Sequence, residues 1–242
     1  MKTRFAFAAV PFLLFATSIP DAETATVEGR VVDKDGKPVA GIQVASHWDI
    51  RSSHMQPDGG VRTDPEGRFA VKSYSRGWPV AVAAFDQART SGGIAVAQDA
   101  AAGKALIIKL GPLVHVHGSF FSKELGKRPK QTNVQVRLTP VPLDVLDCHS
   151  DVGEFSFHLP PGDYNFWAFG TDVQSLLKQI TVSADKPDFD MGTLDVPATI
   201  IASRVGKTPP SWTVTDARGV KKDVRLDDFK GKWVLIEFWG FW

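Results

Sequence analysis

Between Thr26 and Val196 apolar and polar residues alternate in short runs bounded by glycine, proline or aspartate. A two-residue period marks strands with one buried face, and no long segment carries the helical period. Val27-Glu28-Gly29-Arg30-Val31-Val32 alternates, Asp33-Lys34-Asp35-Gly36-Lys37-Pro38 is a turn cluster, and Val39 to Ser46 alternates again. Thr63 to Val71 predicts a hairpin around Gly67, which is free to take a positive φ. Pro79 to Phe85 and Ala105 to Leu110 add strands. A second series runs through Leu113–Gly118, Asn133–Leu138, Asp151–Phe157, Pro160–Ala168, Ile180–Val182 and Met191–Val196. Within it Gly126-Lys127-Arg128-Pro129 takes the place of the earlier turn, and Asp151–Phe157 echoes Asp64–Val71. The expectation is a mainly β chain with two antiparallel sandwiches, 26–111 and a divergent copy at 112–198, arisen by duplication. One larger sandwich built from both halves fits the same spacing.

The two ends read differently. Lys2 and Arg4 precede an apolar run from Phe5 to Ile19, and polar residues follow from Asp21. That run is short of the ~20 residues a spanning helix needs, so residues 1–22 read as a secretory signal, with an uncleaved anchor as the alternative. Cleavage fits after Ser18 or after Ala22. Residues 199–204 read as a linker. Beyond them, Val205-Gly206-Lys207-Thr208-Pro209-Pro210-Ser211-Trp212 leads to Leu226-Asp227-Asp228-Phe229-Lys230-Gly231-Lys232 and the apolar run Trp233 to Trp242.

This tail, 205–242, resembles the opening of a thioredoxin-like domain of the TlpA and AhpC/TSA peroxiredoxin superfamily. The matching features are Pro-Pro-Ser-Trp, the Leu-x-Asp-Phe-Lys-Gly-Lys turn and the strand end Phe238-Trp239-Gly240-Phe241-Trp242. The resemblance implies an incomplete α/β segment in which Trp233–Trp239 is a buried strand. It implies a nucleophilic cysteine directly after Trp242, where the chain stops, and a resolving cysteine three positions on. Such cysteines act as thiolates, favoured at a helix N-terminus. The full-length protein is then expected to be an exported thiol-disulfide oxidoreductase, or a peroxiredoxin, acting on protein thiols and disulfides. The 242-residue chain itself is expected to be inactive. The alternative is a non-enzymatic extracellular β-sandwich adaptor. The first half resembles the carboxypeptidase regulatory-like domain, a transthyretin-like sandwich, through Gly29-Arg30-Val31, Asp35-Gly36-Lys37-Pro38-Val39-Ala40-Gly41 and Thr63-Asp64-Pro65-Glu66-Gly67-Arg68-Phe69. That likeness implies a fold and no reaction.

Composition narrows the chemistry. A net charge of +1 gives no electrostatic reason to expect nucleic acid, and a membrane partner is expected only if the leader stays uncleaved. A single cysteine, Cys148, excludes an internal disulfide and a multi-cysteine zinc site. Its neighbours Asp147 and His149 do not make an activated thiol, because adjacent strand residues face opposite ways. His115 and His117 share a strand face, but no third metal ligand is placed by the sequence. His47 and His54, with Asp49 and Asp58, read as a solvated loop. Tyr164, Phe166, Trp167 and Phe169 read as sandwich core and rim before a carbohydrate platform. Trp239 and Trp242 flank an active site only by resemblance. No catalytic, cofactor-binding or metal-ligating residue is expected within the chain, and no cofactor. A protein or carbohydrate ligand of the sandwiches stays open.

Overall fold

A computed structural model describes residues 25–51, 54–73, 79–98, 103–208, 216, 218–235 and 237. The expected leader 1–22 and the closing Trp239 and Trp242 lie outside those residues. The protein is mainly β. The first half contributes β1 (Ala25–Val32), β2 (Gln43–Ala45), β3 (Trp48–Arg51), β4 (His54–Pro57), β5 (Val61–Arg62), β6 (Arg68–Ser73), β7 (Val80–Phe85), β8 (Ser91–Ala97), β9 (Leu106–Lys109) and β10 (Gly111–Pro112). The second contributes β11 (Val114–Phe121), β12 (Thr132–Leu138), β13 (Asp144–Ser150), β14 (Glu154–Leu159), β15 (Gly162–Gly170), β16 (Leu176–Val182) and β17 (Asp188–Asp195).

These strands form four sheets whose pairing repeats. In the first half β1 lies between antiparallel β6 and parallel β9; in the second, β11 lies between antiparallel β14 and parallel β17. The opposing sheets repeat as well, β8-β7-β2-β5 matching β16-β15-β12-β13. A packing detail recurs at the same register. Gly29 pairs with Phe69 and Gly118 with Phe155, and each ring lies where a glycine Cβ would stand, its Cζ 2.6 Å from that position.

The expected Thr63–Val71 hairpin is corrected. β5 and β6 do not pair; they belong to different sheets, and residues 64–67 carry the chain from one to the other. The Asp64 carboxylate causes this local closure by accepting the N–H groups of Glu66 and Arg68 at 3.0 and 2.7 Å. Gly67 sits at φ +74°, and its carbonyl accepts the N–H of Val31 on β1. The echo at Asp151–Phe157 is the same device. Ser150 Oγ accepts the N–H groups of Val152 and Glu154, and Gly153 takes φ +69°.

The stretch read as a solvated loop is also corrected. β3 and β4 pair antiparallel; they leave the first half and extend the second half's sheet, β3 running parallel to β13. Alternation explains it: Trp48 and Ile50 are buried, while Asp49 and Arg51 face outward. Trp48 lands at the junction, fully buried, edge-on to Phe85 at 4.8 Å, its indole N–H donating to Ala83 O. Arg89 lies over both rings and donates to the Met55 carbonyl. On β7, Ala81, Ala83 and Phe85 enter the core shared with the second half, while Val82 and Ala84 enter the first-half core. A strand covered on both faces needs the near-continuous apolar run seen there.

Past the sheets, residues expected as linker hold a short helix, Ile200–Arg204, capped by Thr199 Oγ1, which accepts the Ala202 N–H. In the tail, Leu226–Phe229 is a 3₁₀ turn whose Asp228 carboxylate accepts the Arg225 N–H at 2.8 Å, with Gly231 at φ +81° just after it. The strand expected at Trp233–Trp239 is not formed at its described residues: Trp233, Val234, Leu235 and Glu237 lie in no strand and are exposed. An apolar run becomes a strand only where neighbouring strands take its backbone groups, and no sheet pairs these residues.

Candidate functional site

The outward face of the β14-β11-β17 sheet collects the polar chemistry of the second half. Val114 and Val116 point into the core, so His115 and His117 point out. The same alternation on β14 buries Phe155, Phe157 and Leu159 and leaves Ser156 and His158 outward, beside β11. Parallel pairing places Asp188 opposite His115 and Asp190 opposite His117.

His115 Nδ1 lies 2.9 Å from Asp188 Oδ1, and His117 Nε2 lies 3.1 Å from Asp188 Oδ2. The far nitrogens are also met: His115 Nε2 by Ser156 Oγ at 2.8 Å, and His117 Nδ1 by Asp190 Oδ1 at 3.7 Å. The rings of His115 and His117 stack at 4.7 Å, and His158 stacks on His115 at 4.9 Å. Hydrogen bonds from His117 and His115 hold the Asp188 carboxyl below its usual range. Burial, with His115 and Arg89 nearby, pushes the half-buried His158 below its usual range. Beside this face runs a cleft of about 750 Å³, whose lining includes His117, Ser156, His149 and Cys148.

A second cluster stitches the junction. His47 Nε2 lies 3.5 Å from Asp147 Oδ2, and His149 Nε2 lies 3.1 Å from Asp49 Oδ1, too far out of line for a hydrogen bond. The two strands thus exchange His–Asp pairs in opposite order, His47-x-Asp49 against Asp147-x-His149. His149 Nδ1 closely approaches Asn133 Oδ1, and Arg51 holds Asp49 Oδ2 at 2.7 Å. His54 is exposed on β4.

The pairing with Asp147 pushes His47 up, against a smaller opposing effect of burial, with Asp144 and Asp58 adding to the rise. A raised folded-state pKa contributes stability that is complete below the unfolded value of about 6.5 and is lost as pH rises through the folded value. Replacing His47→Asn will therefore lower the melting temperature more at pH 6 than at pH 8.5. Comparing variant with parent at each pH cancels His158, whose depressed pKa acts in the opposite direction. Equal losses at the two pH values would refute the pairing.

Cys148 faces inward, 3 % exposed, opposite in direction to Asp147 and His149. Burial pushes its thiol up to about 11, so it is protonated at neutral pH and is no nucleophile. Tyr164 and Phe166 are core, the Tyr164 hydroxyl donating to Pro160 O at 2.8 Å. Trp167 and Phe169 lie on the other face, 5.0 Å apart, with Arg137 over Trp167. Among the described residues no helix is long and apolar enough to cross a membrane.

Fold and site together define a mainly β chain of two topologically matching halves with a histidine–aspartate face, followed by a tail whose described residues are mostly exposed. No family model matches it. Over 38 residues, 16% of this chain, it is 50% identical to the thiol-disulfide oxidoreductase ResA of Bacillus thuringiensis and of Bacillus cereus. It is 46% identical over 39 residues to ResA of Bacillus anthracis. The chain covers 21% of the length of these relatives. Among solved structures it is similar to the Bacillus anthracis TIE protein (9% identity, TM-score 0.34, covering 72% of this chain and 34% of that one). It is also similar to a streptococcal ancillary pilin (13% identity, TM-score 0.32, covering 74% and 64%). Superpositions this loose carry no argument about descent or function.

Proposed function

We propose that the tail from Val205 to Trp242 is the stretch shared with ResA, and that it opens a thioredoxin-like domain of an exported thiol-disulfide oxidoreductase. The observation that carries this reading is 50% identity over 38 residues, the length of that tail. The tail's local structure supports it: the capped Leu226–Phe229 turn and Gly231 at positive φ form a defined approach to the apolar run. The exposure of Trp233 and Leu235 suits the edge of a domain whose covering layers lie outside these residues. The basic and apolar leader supports export, into compartments where protein disulfides persist. The two β halves serve as the spacer that presents the redox domain, the first of them a carboxypeptidase regulatory-like sandwich.

In this reading thiol–disulfide exchange belongs to cysteines of the redox domain beyond Trp242, and not to buried Cys148. Insulin reduction by dithiothreitol is the test. The 242-residue protein is expected to leave the uncatalysed rate unchanged, whereas the protein extended through the downstream reading frame, with Cys-x-x-Cys after Trp242, accelerates it. Catalysis by the 242-residue chain would overturn the assignment of the chemistry. A downstream frame without cysteines would remove the oxidoreductase reading and leave an exported β-rich adaptor.

A further inference from the structure

We propose that His115, His117 and Asp188 form a binding site for a first-row divalent cation of the zinc class on the outer face of the β14-β11-β17 sheet. Three observations converge. One ligand atom from each of the three residues lies within 4.8 Å of the other two. Around a zinc ion with bonds of about 2.0–2.1 Å, tetrahedral ligand atoms stand about 3.3 Å apart. Asp188 sets one carboxylate oxygen beside each ring, Oδ1 at 2.9 Å from His115 Nδ1 and Oδ2 at 3.1 Å from His117 Nε2, so either oxygen starts near that value from one imidazole. Closing the remaining gap moves only the tips of part-exposed side chains. The ligand set, two imidazoles and a carboxylate, suits zinc, cobalt, nickel or iron better than calcium or magnesium, which prefer all-oxygen shells.

The second observation is the support behind the ligands. A metal-binding histidine typically gives its other ring nitrogen to a hydroxyl, carboxylate or carbonyl that sets its tautomer. Here Ser156 stands behind His115 and Asp190 behind His117. This matters for the proton count. Without metal, ionised Asp188 can only accept, so His115 Nδ1 and His117 Nε2 carry the protons. On binding, those nitrogens release their protons and coordinate, while the far nitrogens take protons up and donate to Ser156 Oγ and towards Asp190. For a neutral ring this step is a tautomer exchange, in which the proton lost at one nitrogen is balanced by the one gained at the other. The third observation is the frame. His115 and His117 sit two apart on the central strand, and β17 is paired to it in parallel at this register, so the sheet holds the three Cα positions. Three protein ligands leave a fourth position for water or a ligand from the solvent side.

Isothermal titration of the untagged, chelator-stripped protein with Zn²⁺ tests the proposal, with Co²⁺ absorbance reporting coordination geometry. One equivalent is expected to bind, and Co²⁺ to give the intense visible bands of a four-coordinate site. Replacing His117→Ala or Asp188→Ala should remove that equivalent. Ser156→Ala, which leaves all three ligands in place, should weaken it by about tenfold. Circular dichroism of each metal-free variant establishes that it is folded, and His117→Gln serves if His117→Ala is not. No stoichiometric binding to the parent, or binding unchanged in His117→Ala and Asp188→Ala, would overturn the site. The second result would move any binding to the His47, Asp147, Asp49 and His149 cluster.

Discussion

Trp48→Ala will lower the unfolding free energy by about 3–5 kcal/mol, the cost of removing a large aromatic from a packed interior. Trp48 is fully buried in the core that joins the first-half residues Ala81, Ala83 and Phe85 to the second half. Its loss leaves a cavity against the Phe85 edge and leaves the Ala83 carbonyl without the indole donor. It also removes a ring from under Arg89, whose burial already disfavours its charge. The effect will extend beyond the mutated strand, because β3 is the strand through which the first half joins the second half's sheet. Urea unfolding is expected to show one transition in the parent. The variant should shift to lower urea and split, as the halves lose their common core. A loss below about 1 kcal/mol, with one undivided transition, would mean that the two halves do not depend on the Trp48 contact.

Gly118→Ala and Gly29→Ala will each destabilise by about 1–3 kcal/mol, as overpacking does, but for reasons a second substitution can separate. A Cβ at Gly118 would stand 2.6 Å from the Phe155 ring, with the nearest backbone atom, Gly192 O, at 2.9 Å. A Cβ at Gly29 would meet the Leu106 carbonyl oxygen at 2.3 Å as well as the Phe69 ring. A ring can be shortened, whereas a carbonyl committed to a strand cannot move without breaking its ladder. The double variant Gly118→Ala, Phe155→Leu should therefore lose less than the sum of its singles, while Gly29→Ala, Phe69→Leu should be close to additive. Chemical unfolding of the six variants against the parent decides. Additivity at Gly118 would show that the ring is not what excludes a side chain there.

Much of the framework was legible because strand alternation is written locally. Val27, Val31, Phe69 and Val71 are buried where the two-residue period puts them, as are Val114, Val116, Phe155 and Phe157. The same period correctly turned Cys148 away from Asp147 and His149. Sequence reading went wrong where the partner of a strand mattered. Asp64–Gly67 has the residues of a hairpin turn, yet the strands it joins enter different sheets. The polar residues between Trp48 and Pro57 hid a hairpin whose partner, β13, lies almost a hundred residues away. At the candidate site, His115 and His117 were visible as a pair. Asp188 was not, because it is 73 residues from His115 and only parallel pairing of β11 with β17 sets it there.

The sequence by itself determined which residues could be buried, where the chain could turn, that one cysteine cannot form an internal disulfide, and that a 38-residue stretch is similar to the thiol-disulfide oxidoreductase ResA. Periodicity, turn chemistry and motif spacing are properties of neighbouring residues, so they survive without coordinates. Tertiary structure alone decided that the β3–β4 hairpin crosses between halves, that Trp48 fills the seam, and that two histidines meet an aspartate. Those outcomes depend on which strands share hydrogen bonds, a choice made by burying the most apolar surface across the whole chain at once.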